Sequence, residues 1–280
     1  MRQNEISYQM IAGAVAAAEA AGFVIMEMYQ KQNRMPVSIK ADLSPVTAAD
    51  IESHHLLTHR LALLDAKIPV VSEEDQGSLK HLSTKGRFWL IDPLDGTKEF
   101  INKTGEFAVN VALIEDARPV LGVVHMPVSG VTYWGGVGHG AFKKCYWKSV
   151  PINVTPFQKD RLLRVTTSRS HLDEETKNFV RLLGETSLVV AGSALKPCLV
   201  AEGAADVYPR MSPTCQWDIA APQAVLEAAG GYVTSLRGET LVYGGPDVLN
   251  PHFVASSIPL VDLVSQKMAH PLEAGVVAHV

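Results

Sequence analysis

Apolar residues recur at helical spacing from Glu5 to Lys31, with Glu19, Glu27 and Gln30 marking the polar side, and predict a long amphipathic first helix. After the loop KADLSPVTAAD a second helix is predicted through IESHHLLTHRLALL. The period then changes. IPVVSEED and RFWLIDP read as strands, and FAVNVALI and PVLGVVHMP flank Glu115-Asp116-Ala117-Arg118 as an antiparallel hairpin. VTYWGGVGHGAFK adds a second glycine-punctuated pair. Further on, strands LLRVTTS and SLVVAG enclose a helix over DEETKNFVRLLG. A helix over ALKPCLVAEG, a strand over ADVYP and a buried helix over WDIAAPQAVLEAAGG follow. Pro197 and Pro222 are expected in the first turns of their helices, where a missing N–H costs least. Hairpins in the first half and strand–helix alternation in the second predict an α/β (α+β layered) chain of stacked helix and sheet layers. Two subdomains sharing one cleft are expected, spanning residues 1–155 and 156–280.

Composition narrows the classes. The chain has 280 residues, 47% apolar and 19% charged, with a net charge of −4, so no global field favours nucleic acid or an anionic membrane. Any anionic ligand must be captured by a local cluster. Cys145, Cys198 and Cys215 are far apart and form no metal or disulfide spacing, which fits a reducing, cytoplasmic setting. The first helix lacks a basic leader and carries internal acids, unlike a signal peptide or membrane span. His54, His55 and His59 lack the intervening glutamate of a zinc-binding helix and read as solvated or packed side chains. The glycines from Gly136 to Gly140 precede no helix, so they form a turn rather than a dinucleotide site.

The chemistry is carried by acids at the ends of apolar segments: VTAAD (Asp50), VSEED (Glu73, Glu74), DPLDGT (Asp92, Asp95) and WD (Asp218). Two carboxylates about 4 Å apart repel by about 4 kcal/mol at an intermediate effective dielectric. Converging acids therefore need protons or a cation, and a set of oxygen donors without histidine or cysteine suits Mg²⁺. Pro93 holds Asp92 extended and bends the chain so that Asp95 returns toward it. Gly96 permits close backbone approach, and Thr97 is expected to open a short helix whose free N–H groups favour a phosphate oxygen.

DPLDGT, preceded by the Glu-Glu pair and followed far downstream by WDIAAPQAVLEAAGG, resembles the inositol monophosphatase superfamily across nearly the whole chain. That resemblance implies the αβαβα sandwich shared with fructose-bisphosphatases and a Mg²⁺-dependent, lithium-sensitive phosphatase. It assigns Glu73, Asp92 and the Leu94 carbonyl to one ion, and Asp92, Asp95 and Asp218 to a second. A weaker third ion would be held by Glu73 through water, with Glu74 supporting the ligands from behind. Asp50 and Thr97 would together orient the attacking water.

Within the superfamily, KADLSPVTAAD, TSRSH, GSALKPCLVAEGAADVYPR and SPTCQWDIAA are most similar to CysQ-type 3′(2′),5′-bisphosphate nucleotidases. This implies hydrolysis of the 3′-phosphate of adenosine 3′,5′-bisphosphate, a by-product of sulfur assimilation. It places Gly96, Thr97 and Asp218 at the substrate and His171, Ser193, Lys196 and Arg210 around the phosphate that is retained. Inositol-specific relatives carry an acid seven residues before the last metal-binding aspartate. Here that position is Met211, beside Arg210. An inositol or sugar monophosphatase remains the alternative. Ser212, Gln216 and Pro222 depart from the pattern, standing where Gly, Glu and Gly are usual. No nucleic-acid partner is expected, nothing demands an oligomer, and a monomer is favoured.

Overall fold

The computed structural model describes residues 6–31, 37–39, 45–158, 161–168 and 173–268. His171 and the tail AHPLEAGVVAHV lie outside the described residues. Helix α1 (Tyr8–Gln30) starts three residues later than its apolar pattern predicts, because the Ser7 hydroxyl accepts from the Met10 N–H and caps it. A short ribbon of β1 (Val37–Ile39) and β2 (Pro45–Thr47) leads into α2 (Ala48–Leu64). This second helix begins earlier than expected. Thr47 is its cap, and Asp50, expected in the loop before it, lies in its first turn.

Seven strands then form one sheet in chain order: β3 (Val70–Ser72), β4 (Arg87–Asp95), β5 (Ala108–Glu115), β6 (Arg118–Met126), β7 (Val131–Gly136), β8 (Gly140–Cys145) and β9 (Lys148–Ile152). Only the β3–β4 pair is parallel. Both expected hairpins are present, and residues 136–140 make the tight β7–β8 turn. One helical turn, α3 (Thr97–Ile101), follows β4.

The second half contributes β10 (Leu163–Thr167), α4 (Glu174–Leu182), β11 (Thr186–Val190), α5 (Leu195–Ala201), β12 (Val207–Arg210), α6 (Gln216–Ala228), β13 (Tyr232–Ser235), β14 (Phe253–Ser256) and α7 (Leu260–Met268). Its five strands are ordered β11-β10-β12-β14-β13, with β10 parallel to both neighbours. Pro197 is the third residue of α5, as expected, but Pro222 is the seventh of α6. The helix tolerates it inside a buried layer, where its ring removes the N–H that would have bonded the Asp218 carbonyl.

Alternation along the strands sorts side chains into three cores. Trp89, Ile91, Val109, Val111 and Leu113 meet α1 and α2 on one face of the large sheet. Phe88, Leu90, Ala112 and Val124 meet α5 and α6 on the other, together with Tyr208, Phe253 and Ala255 of the small sheet. Val165, Val207 and Val254 face outward beneath Leu183, Leu260 and Leu263. The layers therefore run α, β, α, β, α, and buried strands read as continuous apolar runs because both faces are covered. Helix α6 lies almost on the backbone of the large sheet. A methyl group at Gly122 would sit 2.1 Å from the Ala221 carbonyl oxygen, so only glycine fits there. Helix α1 is long and apolar enough to cross a bilayer, yet Ala14, Ala17, Ala18, Ala21 and Ile25 are fully buried against the sheet.

One polar network pins α1 to the sheet. Lys144 donates to Glu19, and so does the Thr132 hydroxyl. Its single proton so used, Thr132 accepts from His125 Nδ1, which fixes the tautomer. Burial pushes the His125 pKa down to about 4, against a raising effect from Glu19. The native state thus resists the proton that the unfolded chain takes up near pH 6.5. His125 should cost stability progressively between pH 6.5 and 4, on the order of 3 kcal/mol at the lower end. Urea midpoints at pH 7 and pH 5 should differ less in His125→Asn than in the parent protein. Equal pH dependence would exclude His125 as the sensitive group.

Candidate metal centre and substrate cavity

The acids converge. Carboxylate oxygens of Glu73, Asp92 and Asp218 lie within 4.8 Å of one another, brought together from the end of β3, the end of β4 and the first turn of α6. The β4–β5 register shifts between Asp92 and Asp95, and this bulge returns Asp95 toward the group. Asp92 is only 1% exposed. Burial drives its pKa well above the usual carboxylate range, and Glu73, Asp95, Asp218 and Glu74 push it further. The Leu94 N–H donates to it at 3.0 Å, closing the turn. The Asp218 pKa is also raised, by burial and then by Asp95 and Glu73, while the Cys215 N–H opposes the rise from 2.8 Å.

Asn110 stands directly across from Asp92 on β5, fully buried, and both its side-chain polar atoms lack a partner among the described residues. Oxygen donors gathered this closely, with a buried amide beside them that finds no partner among the described residues, fit a hard divalent cation.

Asp50 divides its two oxygens. One accepts from the Thr47 N–H (2.7 Å) and Thr47 hydroxyl (2.6 Å); the other accepts from Thr97 Oγ1 at 2.9 Å. The T-x-x-D pattern is a capping box, so one residue both starts α2 and meets Thr97. Thr97 also approaches the Leu94 carbonyl at 3.4 Å. Gly96 caps α3 with φ 99°, a left-handed conformation that excludes a side chain, and a Cβ there would crowd the Glu106 carbonyl at 3.1 Å.

A cavity of about 190 Å³ adjoins the acids, lined among others by Asp95, Gly96, Ser193, Lys196, Arg210 and Asp218. Ser193 Oγ and the Ala194 N–H both donate to the Asp95 carboxylate, so the start of α5 is tied to the DPLDGT turn. Lys196 is 5% exposed and donates to the Ser193 carbonyl at 2.7 Å. Burial lowers its pKa to about 8, with Asp95 opposing and Arg210 adding to the fall. Arg210 Nε is buried without a partner among the described residues. Met211, one residue on, turns into the outer core and offers the cavity nothing.

Several cavity residues escape the sequence reading: Glu99, Glu106, Ser168, Tyr208 and Thr214 also line it. Glu99 and Glu106 follow the DPLDGT turn closely, but two isolated glutamates give no periodic signal. The departure at Gln216 has a local cause. Its amide donates to the Asp247 carbonyl (2.7 Å) and accepts from the Gly244 N–H (2.9 Å), a pairing that an ionised glutamate cannot complete. Nothing in the structure explains Ser212.

The sequence profile of the inositol monophosphatase family matches residues 7–276. The chain belongs to that family. It is 44% identical over 238 residues to the 3′(2′),5′-bisphosphate nucleotidase CysQ of Salmonella typhimurium, covering 84% of this chain and 95% of the relative. The protein of that name from Escherichia coli K12 is 44% identical over 241 residues, covering 85% and 96%. The crystal structure of CysQ from Bacteroides thetaiotaomicron superposes with a TM-score of 0.79 at 36% identity, over 91% of this chain and all of that one. The Thermotoga maritima inositol monophosphatase, at 24% identity and a TM-score of 0.74, shares the fold. The expected layered fold is thus that of the family.

Proposed function

We propose that the protein is a Mg²⁺-dependent 3′(2′),5′-bisphosphate nucleotidase that converts adenosine 3′,5′-bisphosphate to AMP and phosphate, acting in the cytoplasm in nucleotide recycling. The carrying observation is the pairing of two anion-binding regions in one cavity. Asp95 and Asp218 of the acidic cluster form one wall, and two cations, buried Lys196 and half-buried Arg210, line the cavity beyond Asp95. A substrate with a single phosphate uses only the first region. The bisphosphate nucleotidases to which this chain is similar support the same reading.

Glu73, Asp92, the Leu94 carbonyl, Asp95 and Asp218 would hold two ions, with a third bound weakly near Glu73. Bound there, Mg²⁺ would supply charge neutralisation for the phosphoryl group and make a water molecule more acidic. The protein's own part is proton handling. Thr97 Oγ1 accepts a proton from the attacking water and passes its own to Asp50, whose other oxygen is already held by Thr47. Lys196 and Arg210 donate to the phosphate that stays, and Gly96 lets the backbone approach the one that leaves.

Phosphate release from adenosine 3′,5′-bisphosphate and inositol 1-phosphate, with Mg²⁺ and with lithium added, tests the whole reading. A Mg²⁺-dependent, lithium-sensitive preference for the bisphosphate is expected; preference for the inositol ester would refute the second phosphate site. Arg210→Ala should raise KM for the bisphosphate by about 10–100-fold, matching one charge-assisted hydrogen bond of roughly 1.5–3 kcal/mol. KM for the monoester should hardly move. A uniform loss on both substrates would make Arg210 a structural residue.

A further inference from the structure

Helix α2 reaches the acidic centre at more than Asp50. Ser53 and His54 follow it at i+3 and i+4, the spacing that puts three side chains on one helix face. Ser53 is fully buried, and its hydroxyl donates to the Pro93 carbonyl at 2.8 Å, between Asp92 and Asp95 in the chain. His54 Nδ1 lies 2.8 Å from Ser72 Oγ, next to Glu73. That hydroxyl also accepts the Glu74 N–H at 3.3 Å, while the Ser72 N–H is held by Ser78 Oγ at 3.0 Å. Burial, with neighbouring His55, favours the neutral His54 ring, which pairs with the Ser72 hydroxyl through Nδ1.

The two acidic turns come from chain segments about twenty residues apart, and mutual repulsion of their carboxylates drives them apart. One rigid helix face touches both, and touches Thr97 as well through Asp50. We propose that Ser53 and His54 are positioning residues that hold the Glu73 and Asp92–Asp95 turns in register and thereby set the metal affinity of the centre. This rests on the metal reading given above. Neither residue belongs to the carboxylate cluster or to the cavity lining.

The test is Mn²⁺ binding to the substrate-free protein, followed by electron paramagnetic resonance, in Ser53→Ala, His54→Phe and His54→Asn. An asparagine amide can occupy the place of Nδ1 and pair with the Ser72 hydroxyl as acceptor or donor, whereas phenylalanine cannot. Ser53→Ala and His54→Phe should weaken Mn²⁺ about 10-fold or more, with His54→Asn recovering most of the loss. The Mg²⁺ concentration for half-maximal phosphate release should rise in parallel, with KM for substrate unchanged at saturating Mg²⁺. Ser72→Ala, which cuts the same bond from the other side, should add little to His54→Phe in the double variant. Parent-like Mn²⁺ affinity in both Ser53→Ala and His54→Phe overturns the inference, as does failure of His54→Asn to restore binding in a folded protein. Absence of Mn²⁺ binding by the parent protein would instead overturn the metal reading itself.

Discussion

Asp92→Asn will abolish turnover and at the same time make the metal-free protein more stable. The parent carboxylate is 1% exposed and faces Glu73, Asp95 and Asp218, and burial with those neighbours raises its pKa well above the usual range. For an acid whose folded pKa lies above its unfolded one, stability is present at low pH and is lost as pH rises through the folded value. At neutral pH the metal-free fold therefore carries a penalty that a neutral amide removes, while its oxygen can still accept from the Leu94 N–H. The gain should be about 1–2 kcal/mol, at roughly 2–4 °C of Tm per kcal/mol for a chain of this size. Turnover should fall by about 10³-fold or more, the order seen when a group that stabilises transition-state charge is removed. Thermal melts with and without Mg²⁺ check both halves. The parent should gain Tm on adding Mg²⁺ and the variant should not. A variant less stable than the metal-free parent would mean that Asp92 is neutralised by the protein alone.

The second large effect concerns Lys196. Its pKa, lowered to about 8 chiefly by burial, leaves the ammonium charged at neutral pH and neutral in alkali. The charged form donates strongly to an anion, so KM for the bisphosphate should climb as pH passes about 8. The KM for inositol 1-phosphate, which has no second phosphate, reports every other titration in the site. The ratio of the two KM values should thus be flat below pH 7.5 and rise above it. Lys196→Gln should raise that ratio by about 10–100-fold at pH 7, the worth of one charge-assisted bond, and make it independent of pH. A ratio that rises equally in the variant would assign the titration elsewhere.

What the sequence conveyed of this molecule follows physical lines. Acids abutting apolar strands at Asp92, Asp95 and Glu73 were readable because charge beside a core needs a partner. The early start of α2 was missed although Thr47 and Asp50 spell a capping box, because the loop-like KADLSPV before it hid the signal. Pro222 inside α6 was not, because a proline's cost in a helix depends on the packing around it, here a helix enclosed between two sheets. Strand β9 hides for a related reason: four of its five residues are exposed, and only pairing with β8 makes it a strand. Glu99 and Glu106 meet Lys196 through the fold alone. Ser53 and His54 sit at helical spacing from Asp50, but nothing in a helix face says which loops it will touch.

The link from Asp95 through Ser193 to Lys196 has a geometric meaning. Ser193 Oγ donates to Asp95, and the Ser193 carbonyl holds the Lys196 ammonium, so one residue separates the cation wall from the acidic turn. Ser193 itself adopts a left-handed backbone, φ 50°, locked by both bonds. The spacing between the two anion-binding regions is thereby set by a single fixed residue rather than by a deformable loop. Under the proposed function such a part would work as a ruler, matching the distance between two phosphates on one ligand. On that reading, a nucleotide whose two phosphates cannot span both regions together should bind weakly, whatever its base.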